Sequence, residues 1–198
     1  MTQSSTAAQN VPDTIAYSYI VDSRASRFTV RAFATGFLSA MGHNPTIAIR
    51  DLSGGVNFNP EKAEASALHL VAKASSLSVQ DDISDKDRRE IERLMHQEVL
   101  ESAKFPEIRY EASAISVTRL SDMLFSASAN GELALHGVTH NQRLDARITL
   151  LGSMLRASGE FTLDQTDYNI KLISVAGGVL KVKDELRFAF ELVARRQE

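Results

Sequence analysis

Between Met123 and Leu135 every second residue is apolar or small. Phe125, Ala127, Ala129, Gly131, Leu133 and Leu135 fall on one face of an extended chain, and Ser126, Ser128, Asn130 and Glu132 fall on the other. A two-residue period is that of a strand with one buried face, because successive side chains of a strand point to opposite sides. The buried face here carries Ala, Ala and Gly where a packed core needs bulk. Tyr110-Ala112-Ala114, Leu144-Ala146-Ile148 and Leu155-Ala157-Gly159-Phe161 repeat the pattern. A sheet whose inner face is apolar but thinly filled can close around a lumen. The same pattern also suits a filled core in which bulk from facing strands fits against the small residues. Alternation alone leaves both open.

The remaining segments supply further strands. Ile15–Asp22 and Arg27–Ala34 alternate about a short turn at Ser23–Ala25, and their closeness predicts an antiparallel pair. Pro45–Asp51 and Val56–Phe58 read as a second hairpin across Ser53-Gly54-Gly55. Ala65–Ala74 follows, and after a break the strands Ile108–Thr118, Met123–Leu135, Arg143–Leu151, Leu155–Leu163 and Glu185–Ala194. The period changes once. Ile91, Leu94, Met95 and Val99 recur at helical spacing within Asp85–Leu100, with Ser84 and Asp87 placed as a capping box and Asp85 and Arg89 as a favourable pair. Thr35–Met41, stopped by Gly42, suits a short helical turn, and Asp164–Asp184 is irregular around Gly177-Gly178. Eight or nine strands with one amphipathic helix predict an all-β, antiparallel, lipocalin-like barrel. Residues 1–14 read as a flexible tail and 15–196 as one barrel domain, a size that a single core supports.

Charge and composition narrow the function classes. A net charge of −3 gives no electrostatic footprint for nucleic acid, and the absence of cysteine excludes disulfides and thiolate metal sites. Met1–Asn10 has neither a basic start nor an apolar run, and no later stretch approaches the roughly 20 apolar residues of a membrane span. The expectation is a cytoplasmic protein without stable membrane insertion.

Three stretches taken together resemble the YceI-like, polyisoprenoid-binding family of lipocalin-like barrels. They are Tyr19–Phe33 (YIVDSRASRFTVRAF), Phe105–Tyr110 (FPEIRY) and Gly131–Val138 (GELALHGV). Their order and spacing cover the chain from Tyr17 to Val193. The family's Arg-Asp-x-His-Leu element before its helix is absent, since Asp87–Met95 reads DRREIERLM, and Thr139-His140-Asn141 stands where Thr-Arg-Pro is usual. The resemblance implies a barrel that binds a long apolar molecule, an isoprenoid or other lipid chain, and a homodimer, the usual state in the family.

Catalysis has no supporting constellation. There is no Gly-x-Ser-x-Gly elbow, and Gly177-Gly178 with Lys181 and Lys183 has no phosphate-loop spacing and reads as a lid or loop. Asp81, Asp82, Asp85 and Asp87 read as a solvated helix start rather than paired acids. His69 is expected on the solvent face, His96 on the helix flank, and His136 and His140 around a strand end, so neither metal nor cofactor is expected. His43 and Asn44 interrupt an apolar path at a junction between elements and are candidates to meet a ligand head group at the barrel mouth; the bland alternative is turn stabilisation. The inward, ligand-lining set is Phe28, Val30, Ile47, Ile49, Leu68, Leu70, Tyr110, Phe125, Ala127, Ala129, Leu144, Ile148, Phe161, Phe188 and Phe190. The chain is read as a binder and not an enzyme, serving carriage, storage or stress protection. Two rivals stay open: a filled barrel acting as a protein-interaction module, and an enzyme acting on an isoprenoid quinone-like substrate.

Overall fold

The computed structural model describes residues 17–35, 44–59, 66–113, 115–175 and 180–197. In chain order the strands are β1 (Tyr17–Val21), β2 (Arg27–Arg31), β3 (Ala34–Thr35), β4 (Thr46–Ile49), β5 (Leu52–Phe58), β6 (Ala67–Lys73) and β7 (Leu77–Val79). Helix α1 (Asp85–Leu94) runs on into a π-helical turn at Met95–Val99. After it come β8 (Glu107–Ala112), β9 (Ile115–Arg119), β10 (Leu124–Leu135), β11 (Val138–Leu151), β12 (Met154–Asp164), β13 (Ser174–Val175), β14 (Leu180–Val182) and β15 (Glu185–Arg196).

Several of these are halves of one bent stave. β1 pairs the end of β15 (Tyr19 with Arg196) and β2 pairs its start (Phe28 with Phe190), both antiparallel. β1 and β2 are therefore collinear, not the hairpin that their closeness predicts. The intervening Asp22–Ser26 is a bend, held by Asp22 Oδ1 accepting from the Arg24 and Ala25 amides. The second expected hairpin is overturned for the same reason: β4 pairs β2 while β5 pairs β1, so 46–58 is one stave bent at Arg50-Asp51. β6 and β7 form another, broken by a 3-10 turn at Ala74–Ser76, and β8 and β9 both lie along β10. Bends of this kind read in sequence like turns, because both interrupt an alternation with polar or small residues.

Counted as staves, the molecule is a closed eight-stranded antiparallel barrel, and the β1–β15 pairing completes the ring. The β10–β11 hairpin turns on His136 and Gly137, whose φ values of 52° and 76° give the twist that a two-residue connection requires. β11 begins at Val138, earlier than the expected Arg143. The segment Asp164–Asp184 is not wholly irregular: it contains a 3-10 turn at Gln165–Tyr168 and the β13–β14 pair, which joins β3 in a small second sheet. The helix starts as the sequence implies, with Ser84 accepting from the Asp87 amide. Its ion pairs join Arg93 to Glu90 and Glu98. The rest of the helical turn expected after Thr35, the tail, His43 and Gly177-Gly178 lie outside the described residues.

Among the described residues, pairing is interrupted in two places toward one end of the barrel. β8 begins opposite Lys73, so β7 has no strand partner on that side. The β11–β12 register covers only Arg147–Ser158 to Leu151–Met154, leaving the upper parts of both strands unpaired with each other. The upper barrel thus opens into two leaves, β8-β10-β11 facing β12-β15-β2-β4-β7.

Candidate functional site: a cavity between two leaves

Where the leaves part, they enclose a cavity of about 680 Å³. That lies within the range of small-molecule sites, roughly 300–1,000 Å³. Its wall is almost wholly apolar: Val30, Ile47, Ile49, Leu52, Leu133, Leu163, Leu186 and Phe188 among others. The helix covers one gap between the leaves, turning Ile91, Leu94, Met95 and Val99 into the cavity. The 3-10 turn Gln165–Tyr168 approaches the other gap, with His140 Nε2 donating to the Asp167 carbonyl at 2.9 Å.

The helix is attached to the open edge of β7 by three side chains spaced one turn apart. Arg88 donates to the carbonyls of Val79 and Asp81, Glu92 accepts from the Val79 amide at 2.9 Å, and His96 Nε2 donates to the Leu77 carbonyl at 3.0 Å. These bonds satisfy backbone groups that a further strand would otherwise take, which protects a sheet edge from foreign pairing. At its far end the helix runs into Glu101, whose carboxylate lies 2.9 Å from His136 Nε2; His136 Nδ1 lies 3.2 Å from the Tyr168 carbonyl. His136 and Glu101 both adopt positive φ, 52° and 42°, an arrangement that side chains other than glycine hold only when their surroundings fix it. Phe105, 4.4 Å from the His136 ring, completes the joint.

The sequence-predicted residues divide between two levels. Phe28, Val30, Ile47, Ile49, Leu70, Tyr110, Leu144, Phe161 and Phe188 line the large cavity. Leu68, Ala127, Ala129, Ile148 and Phe190 line instead a residual space of about 60 Å³ near the closed end, shared with Phe28, Leu70 and Leu144. Phe125 lines neither. Only 1% exposed, it meets Phe58 edge-on at 5.5 Å. Asn44 is exposed, beside Pro45 at the cavity rim.

The YceI-like domain model matches residues 19–194 of this sequence. The chain belongs to the YceI-like family. BcnA of Burkholderia cenocepacia superposes with a TM-score of 0.65 at 16% identity, covering 87% of this chain and 98% of that one. A polyisoprenoid-binding domain from Saccharophagus degradans, implicated in plant cell wall breakdown, gives 0.65 at 17% identity, covering 90% and 98%. The Campylobacter jejuni YceI protein gives 0.56 at 17%, covering 77% and 85%. At such identities these likenesses establish the fold. No protein of curated function matches the sequence.

This YceI-like cavity is lined by residues that alternation could not reveal. The apolar helix stripe is visible in sequence as a packing face, but not as a wall. Ile170, Ile173 and Val182 come from the segment without periodicity. Polar groups are sparse and stand at the rim or are already engaged. Gln165, buried, donates to the carbonyls of Lys183 and Asp184. Asp87, Glu90, Arg109 and Lys181 are exposed. On the β12 end beside Gln165, burial first, and then Asp184, Asp167 and Glu185, raise the Asp164 carboxyl above its ordinary value. Deeper, the Tyr110 hydroxyl donates toward the carbonyls of Ala129 and Gln142, each at 3.0 Å, and burial pushes its pKa up to about 12. Among the described residues no cluster of His, Cys, Asp and Glu could hold a metal, and no helix is long and apolar enough to cross a membrane.

Proposed function

We propose that this YceI-like chain binds one apolar molecule, an isoprenoid or other lipid chain, between the two leaves of its barrel and holds it without transforming it. The observation that carries this reading is the cavity: about 680 Å³ of space whose wall is hydrocarbon from three sources, the staves, the helix and the β13–β14 flap. An apolar cavity of this size left to water is costly to the fold. Transfer of a chain into it gains about 0.8 kcal/mol per buried methylene. The polyisoprenoid-binding character of the Saccharophagus domain supports the same class of ligand. The near absence of polar groups on the wall favours holding over chemistry, since a reaction needs acids, bases or nucleophiles directed at the bound molecule. Native mass spectrometry of protein purified from its source tests this. A co-purified lipid adduct, released on denaturation, is the expected result; bare protein overturns it in favour of an interaction module.

A further inference from the structure

The cavity stops at mid-barrel, and the residues that stop it reach in from opposite walls. On one leaf the Tyr110 ring crosses from β8 over β10 toward β11. It can do so because Gly131 has no side chain: a Cβ there would come within 2.7 Å of the Tyr110 ring. Its hydroxyl is then tied to the carbonyls of Ala129 on β10 and Gln142 on β11, which fixes the ring in place. On the other leaf Phe28 stacks on Phe190 at 5.6 Å and meets Phe161 edge-on at 6.3 Å. Leu70 and Leu144 fill the interval, since both, with Phe28, border the large cavity above and the small one below. Below this level lies the second space, of about 60 Å³.

We infer that this partition is a chain-length stop, and that the ligand class of this protein is an apolar chain of about 20 non-hydrogen atoms rather than a long polyisoprenoid. The inference rests on the apolar-ligand reading above and adds a ceiling to it. The size follows from the cavity's 680 Å³, divided by roughly 30 Å³ for each water-sized group. A chain entering from the mouth passes the helix and the flap and ends against Tyr110, Phe28, Leu70 and Leu144. Carbons beyond that number stay outside, where they gain no burial.

A length series in delipidated protein tests it, by displacement of the apolar dye 1-anilinonaphthalene-8-sulfonate with geraniol, farnesol, geranylgeraniol, geranylfarnesol and solanesol. Affinity is expected to climb at least about ten-fold per isoprene unit up to geranylgeraniol, as each unit is buried, and then to rise no further. In Leu144→Ala, which joins the two spaces, geranylfarnesol is expected to overtake geranylgeraniol. Solanesol binding tighter than geranylgeraniol to the parent overturns the stop and leaves apolar binding standing. Failure of every alcohol to displace the dye overturns the binding reading itself. An unshifted optimum in folded Leu144→Ala overturns the assignment of Leu144; if that variant does not fold, the parent series alone decides the ceiling.

Discussion

The two ends of this barrel are built from the same staves with the same alternation, yet one is hollow and the other filled. At the closed end Phe58, Phe125 and Leu155 are each 1% exposed, and Ala127, Ala129 and Ala157 stand beside them. At the mouth end the inner face is bulkier, with Phe28, Phe161, Leu186 and Phe188, yet there the cavity lies. Bulk of lining residues and width of lumen are therefore not opposites. What separates the ends is pairing. Hydrogen bonding from β10 through β11 and β12 to β15 holds these lower staves at strand spacing, so a large ring there must be met by a small residue. Gly159, paired with Phe190 across β12 and β15 and with a Cβ position 2.7 Å from that ring, is one such socket. Where pairing lapses between β7 and β8, and between β11 and β12, the leaves move apart and large side chains no longer touch across the interior.

The closed end is where substitutions should act most strongly on stability and least on ligand. Phe125→Ala is expected to cost about 3–5 kcal/mol, as for other large aromatic deletions from full burial, measured by urea unfolding of the ligand-free protein. Ala127→Phe follows, at about 1–3 kcal/mol, because the added ring enters packed space. Displacement assays on the folded fraction of either variant should match the parent. Should Ala127→Phe instead keep full stability and lose the ligand, the lower barrel is lumen and the contrast between the ends collapses.

That substitution also marks how far the sequence could be read. Alternation identified the inward faces, and the helix was legible from Ile91, Leu94, Met95 and Val99 together with its Ser84 cap. Alternation gives the face of a strand but carries no information about height along the barrel. Hence Ala127, Ala129, Phe125 and Val30 looked equivalent, although only Val30 lines the large cavity. Small residues could not be told from empty space because the rings that fill them come from strands distant in sequence: Tyr110 over Gly131, and Phe190 against Gly159. The bends at Asp22–Ser26 and Arg50-Asp51 read as hairpin turns because pairing partners such as β15 lie far along the chain. The helix's polar flank likewise hid its role, since Arg88, Glu92 and His96 look solvated until the β7 edge is placed beside them.

Those three side chains allow the mouth to be loosened without touching the closed end. Arg88→Ala removes charge-assisted bonds to the carbonyls of Val79 and Asp81. Bonds to charged groups contribute about 1.5–3 kcal/mol when buried, and partial exposure here reduces the expected loss to about 1–2 kcal/mol. Amide hydrogen exchange should quicken across Asp85–Val99 and in β7, while β10 and β12 near Phe125 and Leu155 keep the parent's protection. Ligand dissociation should quicken with it. Uniform exchange across both ends would show that the helix belongs to the same cooperative unit as the closed barrel, and that the mouth has no independent motion.

Tyr110 stands between the two ends, and its hydroxyl offers the finest test of the boundary. Tyr110→Phe keeps the ring over Gly131 but loses the hydrogen bonds to Ala129 and Gln142, an expected cost of about 1 kcal/mol. The pH dependence has a definite sign. Burial raises the folded phenol to about 12 from its ordinary 10.0, so its contribution is complete below the unfolded value and is lost as pH rises through the folded one. Between pH 10 and pH 12 the parent's unfolding free energy should fall, because the unfolded chain releases the proton first. In Tyr110→Phe that fall should be shallower, the remainder arising from Tyr19 and Tyr168, whose phenols burial also raises. An equally steep alkaline fall in the variant would mean that the Tyr110 hydroxyl is not held in a dry partition, and the mid-barrel boundary would lose its polar anchor.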